Sequence, residues 1–548
     1  MDGHRPALSG RTALLLSAAP LIFLGVFFVW PVASIVLTGA VGPGGIRSSE
    51  LIDTWLSPHT RAVVWFTLWQ AVISTVLTVL VALPGAYVMA RYEFRGKRLV
   101  RALATIPFVL PTVVVASAFL ALLGPRSPIG VDLAGSIWAI LLAHVFYNYA
   151  VVLRLVGGVW SRLDPRTEEA ARVLGASRWR AFREVTLPQL RPAIISASSI
   201  VFLFTFTSFG VILLLGGQGT ATLEVDIYRT TAELLDLPAA AALAILQVVG
   251  VFALLVLYAR TQERLAVTGR LRAAADVARP PSGRRAKAIV AATVGSMLVL
   301  LVVPLAVLVE RSFAGDGGYS LAAYQGLFTV GSQSGLFVAP IQAVTNSLGF
   351  ALFVMLLATA LGLLAAAVIA YRTGWLSRGF DALLMLPLGT SAVTLGFGFI
   401  VALDRPPIDL RTSPLLIPLA HTLVAIPFVV RATVPLIRSI EPRLREAAAV
   451  LGASPRRVWR EIDGPVIVRA VLIGSGFAFA VSLGEFGATL FIARPDTPTV
   501  PVAIYRLLGL PGTLNFAEAM AMSAILMVLT GGAILVIERL RGNEAVSF

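Results

Sequence analysis

Few side chains in this sequence could do catalytic chemistry. The chain has no cysteine, which removes thiolate nucleophiles, thiolate metal sites and disulfides. Its two lysines, Lys97 and Lys287, are not followed by Ser or Thr, so neither belongs to the phosphate-binding loop of an ATPase. No HExxH spacing occurs among the histidines, which are His4, His59, His144 and His421. We therefore predict that the chain is not an enzyme and has no catalytic residue, no metal site and no cofactor.

An acidic side chain within a long apolar run is the clearest candidate for a substrate contact. Glu485 lies in the stretch SLGEFGATL. A carboxylate within a membrane span is energetically costly, so its presence indicates a role in a substrate pathway. Two alternatives are that Glu485 lies in water near the outer end of the run, or that it pairs with Arg494 or Arg506. Its counterpart in the internal repeat of this chain is Ser208. We predict Ser208 and Glu485 as substrate-pathway residues.

A charged segment occurs twice, almost unchanged. Residues 168–185 read EEAARVLGASRWRAFREV, and residues 445–462 read REAAAVLGASPRRVWREI. A preceding proline and internal alanines favour a short helix, which Gly175 or Gly452 ends in a left-handed conformation. A serine two residues later caps a second short helix, which carries an apolar knob between arginines. The knob consists of Trp179 and Phe182 in the first copy and of Val458 and Trp459 in the second.

The arginines alone would fit an ordinary loop on the inner side of a membrane. The identical spacing of Glu, Ala-Ala, Leu-Gly-Ala-Ser and Arg-Glu in the two copies is not explained in that way. It indicates a surface that must fit a second protein.

Glu-Ala-Ala followed by Leu-Gly-Ala-Ser and a downstream Pro resembles the cytoplasmic motif of permeases in ATP-binding cassette importers. In that family the motif forms a coupling helix that docks in a cleft of the ATPase subunit. The resemblance covers essentially the whole sequence and points to the fused permeases of the thiamine and ferric-iron group. It implies ATPase-coupling roles for Glu169, Ala170, Ala171, Gly175, Glu446, Ala447, Ala448 and Gly452. The copies differ where the second has Asp463-Gly464-Pro465 and the first has Thr186-Leu187-Pro188.

The resemblance also implies partners. We expect two copies of a separate ATP-binding cassette ATPase, one for each coupling helix, together with an extracytoplasmic solute-binding protein. The chain itself lies in the lipid bilayer and is expected to bind no nucleic acid.

The composition requires elements that cross a membrane. Of the 548 residues 57% are hydrophobic and only 13% are charged, and the mean hydropathy is +0.86. Since a crossing needs ~20 apolar residues, the sequence predicts about twelve spans. They lie near 13–37, 62–90, 100–123, 136–157, 190–215, 238–258, 288–310, 343–371, 381–403, 414–437, 466–492 and 515–537. The fold class is therefore an all-α polytopic membrane protein.

The distribution of the 44 basic residues gives the orientation. Most of them fall in alternate loops, which the positive-inside rule places in the cytoplasm. We predict a multi-pass protein of the bacterial cytoplasmic (inner) membrane with both termini in the cytoplasm. The first apolar run is too long for the core of a signal peptide and lacks an obvious cleavage site, so we interpret it as a retained helix.

The second half of the chain repeats the first. One gapless register pairs His144 with His421 and Gly175 with Gly452. Both copies of the charged segment face the cytoplasm, so the two six-helix repeats are parallel. We predict a first permease half at 1–258, a basic cytoplasmic linker at 259–287 and a second permease half at 288–548.

The substrate prediction depends on the resemblance. The outer segment LLLGGQGTATLEVDIYRT at 213–230 is similar to thiamine permeases, and iron permeases often carry an acid where this chain has Ser208. We predict thiamine, with ferric iron as the alternative. A secondary transporter driven by an ion gradient is a rival of another class, but it would not require a repeated docking motif.

Overall fold

The computed structural model is almost entirely helical over the residues that it describes, which are 10–42, 45–46, 48–264, 278–315, 318–330, 337–372, 374–405 and 408–541. Of the predicted linker at 259–287, residues 265–277 lie outside these residues. Ten described helices are long and apolar enough to cross a membrane, or up to twelve if each of two bent helix pairs is one span. The predicted all-α polytopic fold is confirmed.

The helices that precede the linker region belong to the first repeat. They are α1 (Gly10–Leu24), α2 (Trp30–Ala40), α3 (Ser48–Leu56), α4 (Pro58–Arg91), α5 (Lys97–Val109), α6 (Thr112–Leu123), α7 (Ile137–Trp160), α8 (Pro165–Val173), α9 (Arg178–Ala181), α10 (Leu187–Phe206), α11 (Gly210–Leu215), α12 (Leu223–Ala232) and α13 (Leu237–Arg264).

The helices of the second repeat follow the same order. They are α14 (Gly283–Arg311), α15 (Ala322–Gly326), α16 (Pro340–Tyr371), α17 (Trp375–Gly389), α18 (Ala392–Ala402), α19 (Leu416–Arg438), α20 (Pro442–Val450), α21 (Pro455–Val458), α22 (Gly464–Gly484), α23 (Gly487–Ile492), α24 (Val500–Leu508) and α25 (Thr513–Arg541).

The strands in the described part of the chain are three two-residue pairs in loops. They are β1 (Val41–Gly42) with β2 (Gly45–Ile46), β3 (Ala314–Gly315) with β4 (Gly318–Tyr319), and β5 (Asp404–Arg405) with β6 (Ile408–Asp409).

Two predicted spans are sharply bent. Helices α5 and α6 meet at 105°, and α17 and α18 meet at 95°. In the first pair the bend follows from Pro111, since Leu110 before it adopts the extended conformation that a residue preceding proline favours. In the second pair Thr390 and Ser391 are extended without a proline at the bend, and the Ser391 hydroxyl accepts hydrogen bonds from Val393 N and Thr394 N at the start of α18.

Two further predicted spans contain a break. The segment predicted at 190–215 is α10 followed by α11, and the segment predicted at 466–492 is α22 followed by α23. The breaks contain Ser208 and Glu485, respectively. The glycines on both sides of Glu485 permit such a break. The break at Glu485 agrees with the interpretation that Gly484 and Gly487 allow one, whereas no break at Ser208 was predicted.

The described residues form two compact units. The first unit comprises those within 1–54, 227–248 and 315–548, and the second comprises those within 55–226 and 249–314. In the first unit, α1 packs against α16, and α2 packs against α18. In the second unit, α14 packs against α5 and α6. The first helix of each repeat thus belongs to a unit built mainly from the other repeat.

The predicted halves at 1–258 and 288–548 describe the sequence repeat, and that division stays a prediction. The compact units do not follow it. Close approach at a small residue occurs where α2 packs against α18. A Cβ atom on Gly398 of α18 would lie 3.0 Å from the Pro31 Cβ atom of α2. Close backbone approach at small residues is how helices associate in a membrane, where apolar burial gives little drive.

Candidate functional site

The first charged segment, 164–186, folds as a bent helix pair. Asp164 begins α8 by accepting a hydrogen bond from Arg166 N at 3.1 Å. Gly175 follows the helix with φ +93°, a left-handed conformation that favours glycine. The Ser177 hydroxyl then accepts a hydrogen bond from Arg180 N at 3.2 Å and begins α9. We call 164–186 the first surface segment.

The second surface segment, 441–463, repeats this geometry. Helix α20 ends before Gly452, which has φ +79°. The Ser454 hydroxyl accepts a hydrogen bond from Arg457 N at 3.4 Å at the start of α21. Glu441 makes no capping hydrogen bond, unlike Asp164 in the first copy. The predicted left-handed glycines and serine caps are confirmed in both copies.

Each surface segment continues into a membrane helix. A π-helical turn at Phe182–Thr186 joins α9 to α10, and another at Trp459–Asp463 joins α21 to α22. The candidate spans therefore run unbroken from Arg178 to Phe206 and from Pro455 to Gly484. The sequence predicted a separate short helix here, because the charged residues conceal the continuity. A continuous helix therefore connects each surface segment to the membrane-spanning region.

The most exposed apolar side chains of each segment lie at its bend. Val173 and Leu174 are 87% and 88% exposed, and the equivalent Val450 and Leu451 are 87% and 86% exposed. Neither α8 nor α20 has a buried residue. Exposed apolar groups amid arginines are typical of a protein-binding surface. Reasoning from sequence missed these four residues, although Val-Leu-Gly recurs in both copies.

The residues of the predicted apolar knobs differ in their exposure. Trp179 and Trp459 are exposed, but Phe182 is half-buried and its ring stacks on Trp160 with centroids 6.0 Å apart. Phe182 therefore anchors the first segment to α7 and belongs to the internal packing. Val458 is half-buried as well.

A side-chain hydrogen bond stabilises each segment, and different residue types form it at equivalent positions of the two copies. In the first, the Thr186 hydroxyl donates a hydrogen bond to Glu168 Oε2 at 3.0 Å. In the second, Arg445 Nε donates to Asp463 Oδ1 at 2.8 Å. Partial burial acts to lower the pKa of Arg445, but hydrogen bonding and attraction to Asp463 raise the pKa overall. Each bond ties the first helix of a segment to the start of the membrane helix.

The residues predicted to couple to an ATPase lie on α8 and α20 or directly after them. Glu169, Ala170, Gly175, Glu446, Ala447 and Gly452 are exposed, and Ala171 and Ala448 are half-buried. Glu169 Oε1 lies 3.3 Å from Nη1 of Arg279, a residue of the predicted linker. Arg279 is itself held by backbone hydrogen bonds to Arg91 and Glu93 at the end of α4. Among the described residues Glu446 has no corresponding ionic partner.

The two pathway candidates each contact a buried histidine. The Ser208 hydroxyl lies 2.9 Å from His144 Nε2, and Glu485 Oε2 lies 3.2 Å from His421 Nε2. All four side chains are buried, and these are equivalent pairs in the two repeats. The sequence had paired the histidines across the repeats but did not connect them to Ser208 and Glu485.

The Glu485 carboxylate is fully engaged within the protein. It accepts hydrogen bonds from Ala488 N at 2.8 Å and Thr489 N at 3.0 Å, and also from the Thr489 hydroxyl. The expected pairing with Arg494 or Arg506 is not found among the described contacts, and Arg494 instead pairs with Asp496 at 3.2 Å. The alternative of a water-exposed Glu485 is wrong as well, because the carboxylate caps α23 in a buried site.

No group of three or more His, Cys, Asp or Glu side chains that could hold a metal ion occurs in the part of the chain that the structure describes.

Two parts of this chain match one family model. The family is described as the binding-protein-dependent transport system inner membrane component, and it matches residues 82–267 and again 358–540. Together these matches cover more than half of the sequence. The chain belongs to this family. Each matched range of this inner membrane component contains one surface segment and one buried histidine pair.

Full-length relatives of this inner membrane component are found. A thiamine transport system permease protein of Brucella abortus is 28% identical over 94% of this chain and 93% of its own length. A protein of the same name from Escherichia coli is 26% identical over 90% and 92%. A chain of a bacterial ABC transporter that imports the polysaccharide alginate is matched over 47% of this chain and 97% of that chain, with 19% identity and a TM-score of 0.39.

Proposed function

We propose that this protein is the membrane-spanning permease of an ATP-binding cassette importer for thiamine. The observation that carries the proposal is the doubled surface segment, in which two exposed aliphatic side chains precede a left-handed glycine in each repeat. One chain would thus offer two equivalent plugs to an ATPase dimer with two clefts. ATP would be hydrolysed in that separate subunit, and both termini of the permease would lie in the cytoplasm.

Docking would be driven by the aliphatic tips. Burying a Val or Leu side chain contributes about 1.5–3 kcal/mol. Burial of Val173, Leu174, Val450 and Leu451 would therefore favour binding of a partner. The arginines around them would remain at the rim, where they favour association with an acidic surface and contribute little to affinity.

Coupling would use the continuous helices. Closure of the ATPase dimer on ATP must favour one arrangement of the permease by contacts that differ between two states. A displaced surface segment would carry its membrane helix with it, because α9 and α21 run into α10 and α22 without a break. The Glu168–Thr186 and Arg445–Asp463 bonds keep the first helix of each segment in step with that movement.

Thiamine is supported by the full-length relatives that carry this name and by the outer segment 213–230. The family description also supports a separate binding protein, which would deliver the solute. Glu485 and Ser208 would act on the pathway through the helix breaks that they occupy, since neither side chain is open to solvent.

Reconstitution tests the proposal. The chain is placed in liposomes with its ATPase and binding protein, and uptake of radiolabelled thiamine and of ferric iron is compared with and without ATP. We expect thiamine uptake that requires ATP and both partners. Ferric iron uptake in place of thiamine would contradict the substrate, and uptake driven by a proton or sodium gradient without the ATPase would contradict the class.

A further inference from the structure

A cavity of about 650 Å³ lies within the first compact unit. Its walls come from the end of α2, from α12, from the start of α13, and from α18, α23 and the loop before α19. This volume falls within the usual range for small-molecule sites. None of the predicted site residues lines it, so it is separate from the surface segments and from the buried histidine pairs.

The cavity lies at the opposite end of the membrane helices from the second surface segment. Asp404 and Arg411, which line the cavity, precede α19, whereas the surface segment 441–463 follows that helix. Helix α19 has 23 residues and is therefore about 35 Å long. With the surface segments in the cytoplasm, the cavity opens on the outer side, where a solute arrives.

Two aromatic rings form one wall. The rings of Tyr228 and Phe491 have centroids 5.4 Å apart at an interplanar angle of 87°. Tyr228 also meets Tyr505, its equivalent in the second repeat, at 6.5 Å, and Tyr505 packs on Phe486. The cluster holds Tyr228 in place. Aromatic faces attract cations and stack on other rings.

One carboxylate, that of Asp404, also lines the cavity. Asp404 receives two hydrogen bonds from Arg411 Nη1, at 2.9 and 2.8 Å. The Arg411 side chain is 62% exposed, so an incoming cation competes with a guanidinium that solvent can readily accommodate. The remaining lining is aliphatic apart from the threonines Thr38 and Thr231.

The rim of the cavity is strained. Leu235, which lines it, has φ +57°, the one positive φ of a non-glycine residue within the described chain. A bulky residue rarely adopts this conformation, and such strain is concentrated at functional sites. The Leu235 side chain is also 77% exposed, so burial does not compensate the strain.

We propose that this cavity binds an organic cation that carries an aromatic ring, the chemical class of thiamine. The inference rests on the proposed function and adds a solute site that belongs to the permease itself. The ring of the solute stacks against Tyr228 and Phe491, and its positive charge lies near Asp404. A bare metal cation does not fit, because hard cations take several oxygen ligands and the lining offers one carboxylate that is already paired.

Calorimetric titration of the full chain in lipid nanodiscs with thiamine, without binding protein or ATPase, tests the site. Phe491→Leu keeps an apolar side chain but removes the ring face, so we expect about tenfold weaker binding. Asp404→Asn should weaken binding as well, and Arg411→Gln should strengthen it by freeing the carboxylate. Phe252→Leu, on an exposed α13 side chain outside the cavity, is the matched control and should bind like the unmodified chain.

The outcomes separate the site from the function. Thiamine uptake by the complete complex, combined with unchanged titrations for Phe491→Leu and Asp404→Asn, would overturn the site and leave the proposed function standing. Absence of any thiamine binding to the unmodified chain would also overturn the site. A complex that does not import thiamine at all would overturn both. The opposite shifts expected for Asp404→Asn and Arg411→Gln cannot arise from a general loss of folding.

Discussion

The first and second surface segments have the same backbone shape, but different side chains hold them. Both end their first helix at a left-handed glycine and expose a Val-Leu pair to nearly the same extent. Yet Glu168 and Thr186 in one correspond to Arg445 and Asp463 in the other. The shape and the apolar tip are shared, whereas the internal fastening differs. This pattern is expected if the exposed Val-Leu pair must fit identical clefts, whereas the internal hydrogen bond only has to stabilise the segment.

The comparison extends to the buried histidine pairs. His144 bonds a serine hydroxyl, whereas His421 lies beside a carboxylate that also caps the next helix. The group that contacts the histidine is therefore a neutral hydroxyl in the first repeat and a carboxylate in the second. We expect the second repeat to depend more strongly on its buried pair than the first.

The largest effect should come from the shared apolar tips. Leu174→Asp combined with Leu451→Asp should weaken binding of the ATPase by at least about a hundredfold, because apolar burial is lost and two carboxylates must be desolvated. The two single variants should weaken binding by amounts similar to each other, because Leu174 and Leu451 are equally exposed. Surface plasmon resonance with the detergent-solubilised chain measures this, and Leu514→Asp at the exposed start of α25 is the control.

A tenfold effect is expected at the buried acidic pair. Glu485→Gln puts an amide donor against either Ala488 N or Thr489 N, and a buried unsatisfied donor costs about 1–3 kcal/mol. We expect thiamine uptake to fall about tenfold with unchanged ATPase binding. Ser208→Ala removes a single hydrogen bond to His144 and should lower uptake less than about threefold. Equal losses in the two variants would contradict the unequal roles of the repeats.

A smaller difference is expected between the contributions of the Glu168–Thr186 and Arg445–Asp463 hydrogen bonds to the free energy of unfolding. Asp463→Ala removes the carboxylate partner of a partly buried guanidinium and should lower the free energy of unfolding by about 2 kcal/mol. Thr186→Ala removes a neutral donor and should lower it by about 1 kcal/mol. Thermal unfolding in matched detergent measures both. A larger loss for Thr186→Ala would show that the assignment of the stronger fastening to the second segment is wrong.

The smallest effect is expected at the linker. Arg279→Ala removes the exposed pair with Glu169, and such pairs contribute about 0–1 kcal/mol. ATPase binding should therefore change less than about threefold, while the backbone bonds of residue 279 to α4 remain. A loss as large as that of Leu174→Asp would mean that the linker is part of the docking surface.

Local features of the site were predictable from sequence, whereas long-range ones were not. The left-handed Gly175 and Gly452 and the caps by Ser177 and Ser454 follow from neighbouring residues, and all four are found. The bend at Leu110 was signalled by Pro111 only as a kink. The bend at Thr390 follows Pro387 in the last turn of α17, and that proline likewise signalled a kink but not its size.

The contacts of Glu485 and the exchange of α1 between units depend on residues far apart in the chain. Glu485 and His421 are 64 positions apart, and their apolar surroundings carry no pattern that selects this pair. The packing of α2 against α18 involves close approach at Gly398, which composition does not reveal. Hydropathy predicted about twelve spans, and the described helices allow ten to twelve, because each span is a local property.

Site-specific cross-linking tests the central claim most directly, because the natural chain has no cysteine. Leu174→Cys and Leu451→Cys are introduced separately, and the assembled complex is treated with a short thiol-to-amine cross-linker. Each variant should form a product with one ATPase subunit, and the double variant should form a product with two. Labelling of either position by a membrane-impermeant thiol reagent added outside intact cells, or the absence of any product with the ATPase, would contradict the account.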